Sequence, residues 1–309
     1  MIEELLKSNK YFKLVCGAGN EDISSIEKLM KIYYEAGCRV FDLCMSDEVG
    51  NIAFKTCPDA FLCFSYGIKD DPHTIKTRIN KEFCKECKAC EKICIQNAIK
   101  EDYTVDEKKC VGCKQCLSVC KNNAIETYSK TKDLEEVLPE VLKYNPQCIE
   151  LHACSDNEQE VEHNWRYIES KFSGMMSLCI DRSILGDKKV IGRINNLIKN
   201  RKPYSTIIQS DGNPMSGGID DYKTTLQAVA MAEVIQKNNL PVYIVLSGGT
   251  NSKTKALSNL CNVDINGVAI GSYARKIVKK YVEQNNLFED EKSFKEAVEI
   301  AKNLINSTY

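Results

Sequence analysis

Two runs of cysteines have a spacing typical of iron–sulfur cluster ligands. The first run, CKECKACEKIC, covers residues 84–94, and the second, CVGCKQCLSVC, covers residues 110–120. Each reads C-x2-C-x2-C-x3-C, and together they contain eight of the seventeen cysteines in the chain. In bacterial two-cluster ferredoxins with this spacing, three cysteines of a run bind one [4Fe–4S] cluster and the fourth binds the other cluster. The sequence therefore predicts a metal-binding, ferredoxin-like electron-transfer module.

The ligand sets that this spacing predicts are interleaved. One cluster is expected on Cys84, Cys87, Cys90 and Cys120, and the other on Cys110, Cys113, Cys116 and Cys94. The proline that usually follows the fourth cysteine is replaced by Ile95 and Lys121, which alters a turn but removes no ligand. Two four-cysteine zinc sites are the alternative. Structural zinc sites normally pair two C-x2-C knuckles across a longer gap, so we favour iron–sulfur clusters.

Composition limits the partners and the compartment. The chain has 309 residues, 28% of them charged, and a formal net charge of −1, which predicts neither a nucleic-acid nor an anionic-membrane partner. The N-terminal stretch MIEELLKSNKYFKL has no apolar export-signal core, and no later run approaches the ~18 apolar residues of a spanning helix. We therefore expect a cytoplasmic protein, where reducing conditions favour metal-bound cysteines over disulfides.

The rest of the chain, which must position these cysteines, contains eight short apolar runs that we interpret as strands. Amphipathic segments, which we interpret as helices, separate the runs. The runs are residues 12–19, 38–46, 60–67, 148–155, 175–181, 205–212, 242–249 and 267–273. Repeated alternation of strand and helix predicts an α/β fold, a (β/α)8 TIM-like barrel. Without the cysteine segment the chain keeps about 260 residues, close to the ~250 that are typical of this barrel. A doubly wound open sheet is the alternative.

The domain organisation follows from the position of the cysteines. We expect residues 1–78 to form the first part of the barrel, residues 79–126 a 2[4Fe–4S] ferredoxin-like insertion after the third strand, and residues 127–309 the second part. Loops that follow barrel strands form the C-terminal face, where the active sites of TIM barrels lie. The clusters are therefore predicted to overhang the barrel mouth and to exchange electrons with a ligand bound there.

The last two predicted strands end in glycine-containing loops, SGGTN at 247–251 and GSYAR at 271–275. In phosphate-binding barrels, these loops and a helix N-terminus present backbone N–H groups to a phosphate. The predicted phosphate-binding residues, for a substrate or for FMN, are Gly248, Gly249, Thr250, Gly271 and Ser272. The alternative is that the glycines only turn strand into helix.

The sixth predicted strand runs into a polar, glycine-rich loop, QSDGNPMSGG at 209–218. Asp211 is a candidate catalytic residue for proton transfer, Asn213 a candidate hydrogen-bonding residue and Met215 a candidate ligand cover. Because Asp-Gly-Asn-Pro also favours a plain turn, a purely structural loop is the alternative.

Glu150 and His152 are two further candidate catalytic residues. Alternate residues of a strand point to the same side, so these two side chains share a face and suit proton delivery near the barrel mouth. A buried structural ion pair is the alternative. His73 and His163 lie in polar contexts, and the sequence assigns them no role.

The cysteines outside the two runs include several on or directly after predicted strands, among them Cys16, Cys44, Cys63, Cys154 and Cys179. Single cysteines in strands are usually small core residues. A third metal centre or a redox-active thiol pair is the alternative if several of them point inward at one level.

Several stretches together resemble the cyanobacterial light-dependent period protein (LdpA) family. They are YFKLVCGAG near the N-terminus, the double cysteine motif, QSDGNPMSGG, LSGGTN and GVAIGSYAR. The resemblance runs nearly end to end, and it implies cluster binding and sensitivity to cellular redox state. Members of the family are regarded as passing that state to the circadian clock, but nothing in this sequence identifies a clock partner.

Three functions are compatible with these features. The first is an oxidoreductase-like protein whose clusters exchange electrons with a phosphate-bearing ligand or flavin, and with an electron donor or acceptor protein. The second is a non-enzymatic sensor, in which redox sensing alters binding to a protein partner. The third is a sulfur- or metal-handling factor that uses the cysteines at the strand ends.

Overall fold

Eight parallel strands close into a barrel. The structure, a computed structural model, describes residues 2–17, 19–182, 185–212 and 222–309. Its strands are β1 (Tyr11–Gly17), β2 (Val40–Cys44), β3 (Phe61–Gly67), β4 (Ile75–Ile79), β5 (Ile125–Ser129), β6 (Cys148–His152), β7 (Met175–Ile180), β8 (Thr206–Asp211), β9 (Tyr243–Ser247) and β10 (Gly267–Ile270). The barrel order is β1-β10-β9-β8-β7-β6-β3-β2, and β4 pairs with β5 outside it.

Helices precede, connect and follow the barrel strands, and two short helices lie in the cysteine segment between β4 and β5. The helices are α1 (Ile2–Lys7), α2 (Ile23–Glu35), α3 (Asp47–Thr56), α4 (Ala89–Ile93), α5 (Gln115–Val119), α6 (Leu134–Leu142), α7 (Glu158–Lys171), α8 (Asp187–Ile198), α9 (Tyr222–Lys237), α10 (Thr254–Leu260), α11 (Ser272–Val282) and α12 (Glu291–Asn306). A 3-10 turn, Pro72–Thr74, follows β3. Among the described residues, no helix has both the length and the apolarity needed to cross a membrane.

The predicted TIM-like barrel is confirmed, and all eight barrel strands lie within the predicted apolar runs or within one residue of them. The open-sheet alternative is wrong because β1 pairs in parallel with both β2 and β10, which closes the sheet. Strands buried on both faces by helices and by the barrel interior read as continuous apolar runs, which is why the sequence predicts them well.

The barrel interior is apolar at its bottom and polar one layer above, towards the barrel mouth. At the bottom, apolar and sulfur-containing side chains pack together, among them Tyr11, Cys63, Cys148, Met175 and Tyr243. The next inward-facing positions along the strands are polar or charged and equally buried, as at Lys13 and Glu150. Buried charges are rare unless they are paired, so this polar layer needs an explanation from its contacts.

The cysteine segment lies between β3 and β6, two strands that are neighbours in the barrel. Its two ends form the antiparallel pair β4–β5, with Ile75 opposite Ser129 and Ile79 opposite Ile125. This ladder extends beyond the predicted insertion bounds on both sides. The segment has a small core of its own, in which Cys90 and Cys116 pack with Ile99 and Ile125.

Candidate functional site

The eight cysteines of the two runs line two separate small cavities. Four of them line the first cavity: Cys84, Cys87, Cys90 and Cys120. The other four line the second cavity: Cys94, Cys110, Cys113 and Cys116. Each cavity thus receives three cysteines from one run and the fourth cysteine from the other run. These are the interleaved sets that the spacing predicts.

The backbone around the two cavities is repeated. Lys88 and Lys114, which precede α4 and α5, both have the left-handed conformation, with φ of 58° and 61°. The amides of Ala98 and Ala124 donate to Cys94 Sγ and Cys120 Sγ at 3.3 and 3.4 Å. Amides directed at sulfur stabilise thiolate ligands and tune the potential of a bound cluster. Each set of four thiol groups therefore fits a [4Fe–4S] cluster.

A buried lysine fastens the cysteine segment to the barrel. Lys76 of β4 donates from Nζ to the carbonyl oxygens of Gly19, Glu107 and Cys110 at 2.7, 2.9 and 2.6 Å. Gly19 belongs to the loop after β1, whereas Cys110 is a residue of the second cysteine cavity. The ammonium group therefore fixes the position of this cavity relative to the barrel mouth.

Gly112 allows the second cysteine run to pack closely against β4. It has a φ of +63°, and a Cβ at this position would lie 2.3 Å from the carbonyl oxygen of Ile75. No larger residue fits this position without displacing the backbone. The close packing brings Cys113 and Lys114 to the edge of the barrel mouth.

A cavity of about 360 Å³ lies at the barrel mouth, within the range of small-molecule sites. The cysteine segment contributes Gly112, Cys113 and Lys114 to its lining. The barrel loops contribute the five predicted phosphate-binding residues together with Asp211 and Arg275. The mouth cavity and the second cysteine cavity therefore share the residues Cys113 and Lys114.

The predicted phosphate-binding residues lie together at this cavity, but they are not equivalent. Gly248 and Gly249 have φ of +66° and +72°, a conformation that favours glycine. A Cβ on Gly248 would lie 2.4 Å from the amide nitrogen of Gly212, so this glycine also serves packing. The Thr250 hydroxyl donates to the carbonyl oxygen of Ala269 at 2.6 Å. The hydroxyl proton of Thr250 therefore serves a hydrogen bond within the barrel, so this hydroxyl group cannot donate that proton to a ligand.

The N-terminus of α11 points its first residues at the mouth cavity. Gly271 precedes the helix, and Ser272 is its first residue. Both line the cavity with Arg275, whose Nη1 donates to the carbonyl oxygen of Val15 at 2.7 Å. A helix N-terminus with an adjacent guanidinium attracts anions.

Asp211 lies at the end of β8, lines the mouth cavity and is only 7% exposed. Burial raises the pKa of its carboxyl group to about 6, although His73 and His152 and the Ser247 hydroxyl oppose this shift. The group therefore changes protonation state near neutral pH. Asn213 and Met215, the other residues of this loop singled out by the sequence, lie outside the described residues.

A network of buried charges lies beneath the cavity. Lys13 Nζ is 2.6 Å from Glu150 Oε2 and 4.0 Å from Asp42 Oδ2. Glu150 also accepts from the Ser177 hydroxyl at 2.6 Å and from Gln209 Nε2 at 3.0 Å. Burial disfavours its charge, but Lys13 and His152 hold the pKa of Glu150 well below the usual range.

Lys13 was not identified as a functional or structural residue from the sequence, although the sequence around it gave a reason to expect a buried ion pair. A single lysine between apolar neighbours in a strand buried on both faces must find a carboxylate partner. Burial lowers the pKa of Lys13, but the carboxylates of Asp42 and Glu150 raise it more. The pKa of this ammonium group therefore lies well above its ordinary value. The group therefore stays protonated. The pair of Lys13 and Glu150 is a buried ion pair, which is the alternative to a catalytic role that the sequence left open for Glu150.

His152 and His73 meet above this network. Their ring centroids are 4.3 Å apart, and His73 Nδ1 is 2.9 Å from Asp71 Oδ1. Burial disfavours the charged form of His152, but the carboxylates of Glu150, Asp71 and Asp42 raise its pKa to about 9. His73 lines the mouth cavity, a position that its polar Asp-Pro-His-Thr context did not predict.

The five cysteines that the sequence singled out on or after strands occupy three places. Cys16 and Cys44 lie in the core between strands and helices, and Cys63 lies at the barrel bottom. Cys154 and Cys179 lie near Asp211, with their sulfur atoms and a carboxylate oxygen within 4.8 Å of one another. The hydrogen bond with Cys154 and burial together raise the pKa of Cys179. Both observations describe a protonated, buried thiol pair.

The fold and the site together define a class, that of TIM-barrel iron–sulfur proteins. The profile of a 4Fe–4S binding domain matches residues 103–126. The profile described as the light dependent period A C-terminal domain matches residues 140–307, more than half of the chain. The chain belongs to the light dependent period A family, and the resemblance noted in the sequence is confirmed.

A curated relative and solved structures give further comparisons. The protein "Light dependent period A" of Synechococcus elongatus is 26% identical over 300 residues, which cover 91% of this chain and 84% of that protein. A phosphonopyruvate hydrolase structure has a TM-score of 0.48 at 12% identity, covering 96% of this chain and 92% of its own. A putative dihydrodipicolinate synthase family protein from Coccidioides immitis has a TM-score of 0.45 at 9% identity, covering 94% and 75%. The barrel assignment rests on the strand pairing.

Proposed function

We propose that this iron–sulfur protein holds two [4Fe–4S] clusters and exchanges electrons between them and a phosphate-bearing ligand or flavin at the barrel mouth. The two four-cysteine cavities are the cluster sites, and residues 79–126 with the flanking β4–β5 ladder form the ferredoxin-like module. The observation that carries the proposal is that Cys113 and Lys114 line both the second cysteine cavity and the mouth cavity. An electron carrier bound to these cysteines lies beside any ligand in the mouth.

The residues of the mouth divide into binding and proton-transfer groups. The α11 N-terminus at Ser272, with Arg275 and Lys114 beside it, binds the phosphate of the ligand. The glycines at the ends of β9 and β10 keep side chains out of its path. Bound clusters supply one-electron transfer, and the protein must provide the accompanying protons.

Asp211 is the group best placed to hold and release a proton at the ligand, because it lines the cavity and its pKa of about 6 is near neutrality. Glu150 and His152 lie deeper in the barrel and act together on the charge beneath the ligand. The carboxylate of Glu150 keeps a proton on the His152 ring, which holds a positive charge beneath the ligand. Of the three candidate catalytic residues, Asp211 alone faces the mouth cavity in the described part of the chain.

The first cysteine cavity offers a route to an electron donor or acceptor protein. Cys87 is exposed, whereas Cys110 and Cys116 of the second cavity are buried. A partner protein therefore approaches the first site most closely, and the second site faces the barrel. The two sites would then form a path from the partner to the ligand.

Gly271→Ala should weaken binding of a phosphate-bearing probe by at least about tenfold, since the added Cβ would lie 3.1 Å from Val15 Cβ and 3.3 Å from Arg275 Nη1, two residues that line the mouth cavity. FMN, followed by the quenching of its fluorescence, is a suitable probe, with inorganic phosphate as competitor. Gly192→Ala is the matched control, because a Cβ there meets no atom within 4 Å. Unchanged FMN affinity in Gly271→Ala would show that this glycine only turns strand into helix.

An anaerobic redox titration with and without FMN tests electron exchange itself. The negative charge of a bound phosphate raises the cost of adding an electron nearby, so we expect FMN to lower the potential of the cluster at Cys113. Asp211→Asn should keep the cluster spectra and FMN affinity but slow cluster reoxidation by FMN. Superimposable titrations together with unaltered reoxidation in Asp211→Asn would exclude the oxidoreductase function and leave a redox sensor or electron carrier.

A further inference from the structure

We propose that Asp71, His73 and His152 bind a divalent transition-metal ion at the barrel mouth, at a site separate from the cysteine cavities. Asp71 and His73 belong to the turn after β3, and His152 ends β6, the neighbouring strand. One potential ligand atom from each residue lies within 4.8 Å of the others. Two of the three histidines in the chain therefore meet at one carboxylate.

Unsatisfied polar atoms indicate that something binds between these side chains. Asp71 is fully buried and His152 is 2% exposed. In the described part of the chain, Asp71 Oδ2 and both ring nitrogens of His152 have no hydrogen-bond partner. His152 Nε2 lies 3.2 Å from Glu150 Oε1, without hydrogen-bond geometry. Buried polar atoms nearly always have a partner, so atoms without one point to a bound ion or water.

The geometry and ligand types favour a metal ion. Two imidazoles and one carboxylate with open positions are the ligand set of mononuclear Fe(II) sites, and zinc and manganese accept similar sets. Ligand atoms at ~2.1 Å from an ion and at right angles to each other are ~3 Å apart. His73 Nδ1 and Asp71 Oδ1 are 2.9 Å apart and share a hydrogen bond, so an ion bound by both atoms would take the place of the proton between them with little change in their separation.

The electrostatic surroundings favour a cation at the same place. The carboxylates of Asp71, Glu150 and Asp42 all act on the His152 ring, so positive charge is stabilised there. A metal ion would take the place of the His152 proton, because a coordinating imidazole is neutral. His73 lines the mouth cavity, so the open positions of the ion face the ligand site.

Binding of Mn²⁺ to cluster-loaded protein under anaerobic conditions tests this site, since the loaded cysteines cannot bind the added metal. The six-line EPR signal of free Mn²⁺ should fall until one equivalent is bound, and Zn²⁺ should compete. Asp71→Asn and His73→Gln should each weaken binding by at least about tenfold. His163→Gln is the matched control, because His163 is exposed on α7.

Each outcome decides the proposal. Loss of Mn²⁺ binding in both variants with normal binding in His163→Gln supports it. No binding to the wild-type protein, or equal affinity in all variants, overturns it and leaves a buried water between the side chains. His152→Gln is not used because its ring packs inside the barrel, whereas His73 is 30% exposed. FMN affinity and iron content, measured in parallel, separate this test from that of the proposed function.

Discussion

Cys120→Ser is expected to remove the cluster held by Cys84, Cys87 and Cys90, and to leave the cluster of the nearer run intact. Because a serine is a poor ligand for iron, about half of the iron and acid-labile sulfide should be lost. Cys120 is the last cysteine of the second run, yet it lines the first cysteine cavity. Iron and sulfide analysis of anaerobically purified protein, with EPR of the dithionite-reduced form, measures this result.

Double variants identify which cluster is lost. Cys120→Ser with Cys84→Ser should retain as much iron as either single variant, because both residues serve one cluster. Cys120→Ser with Cys110→Ser should lose nearly all iron, because each change removes a different cluster. Cys94→Ser provides the mirror-image control, since it lines the second cavity. If the double variant with Cys84→Ser loses nearly all iron, and the one with Cys110→Ser loses no more than a single variant, then each run binds its own cluster. Zinc without sulfide in the purified protein would exclude clusters altogether.

Lys13→Met is expected to destabilise the protein by about 3–5 kcal/mol, as is usual when one partner of a buried ion pair is removed. The change removes the ammonium group that pairs with both Glu150 and Asp42 in the barrel interior. Urea unfolding followed by far-UV circular dichroism, at equal cluster loading, gives the difference in the free energy of unfolding. The double variant Lys13→Met with Glu150→Gln should recover part of the loss.

The matched control is Lys31→Met, which removes the surface pair of Lys31 and Glu35, whose side chains are 40% and 44% exposed. Exposed pairs contribute little because water and salt screen them. A similar small effect of Lys13→Met and Lys31→Met would mean that the interior ion pair does not stabilise the barrel. It would also remove the reason for assigning Glu150 a structural role.

Much of the barrel could be predicted from the sequence because parallel strands buried on both faces leave unbroken apolar runs. The convergence of the cysteines on two cavities was also predictable, since three residues fixed by short spacing leave one partner to come from the other run. The glycine-rich loops after β9 and β10 and Asp211 share one cavity, as expected when the carboxyl ends of parallel strands lie at one face.

Other features depend on distances that a single sequence does not specify. The ladder that begins at Ile75 was not predicted, because the alternation in IKTRI is short and no turn signal links this strand to its partner, which begins at Ile125 and ends at Ser129. The position of His73 depends on where the turn after β3 folds over the barrel. Its neighbour His152 comes from β6, which pairs with β3 although the whole cysteine segment lies between these two strands in the sequence.

The ladder between β4 and β5 also determines what the long insertion costs the barrel. The free energy of closing a flexible loop grows with the logarithm of its length, by about 0.6 kcal/mol for each doubling. Because Ile75 pairs with Ser129, the ends of the insertion are held together by their own backbone hydrogen bonds. For strands β3 and β6, the effective loop is therefore only the short chain on either side of the ladder. The ladder therefore reduces the entropic cost that a long insertion between two neighbouring strands would otherwise add to closing the barrel.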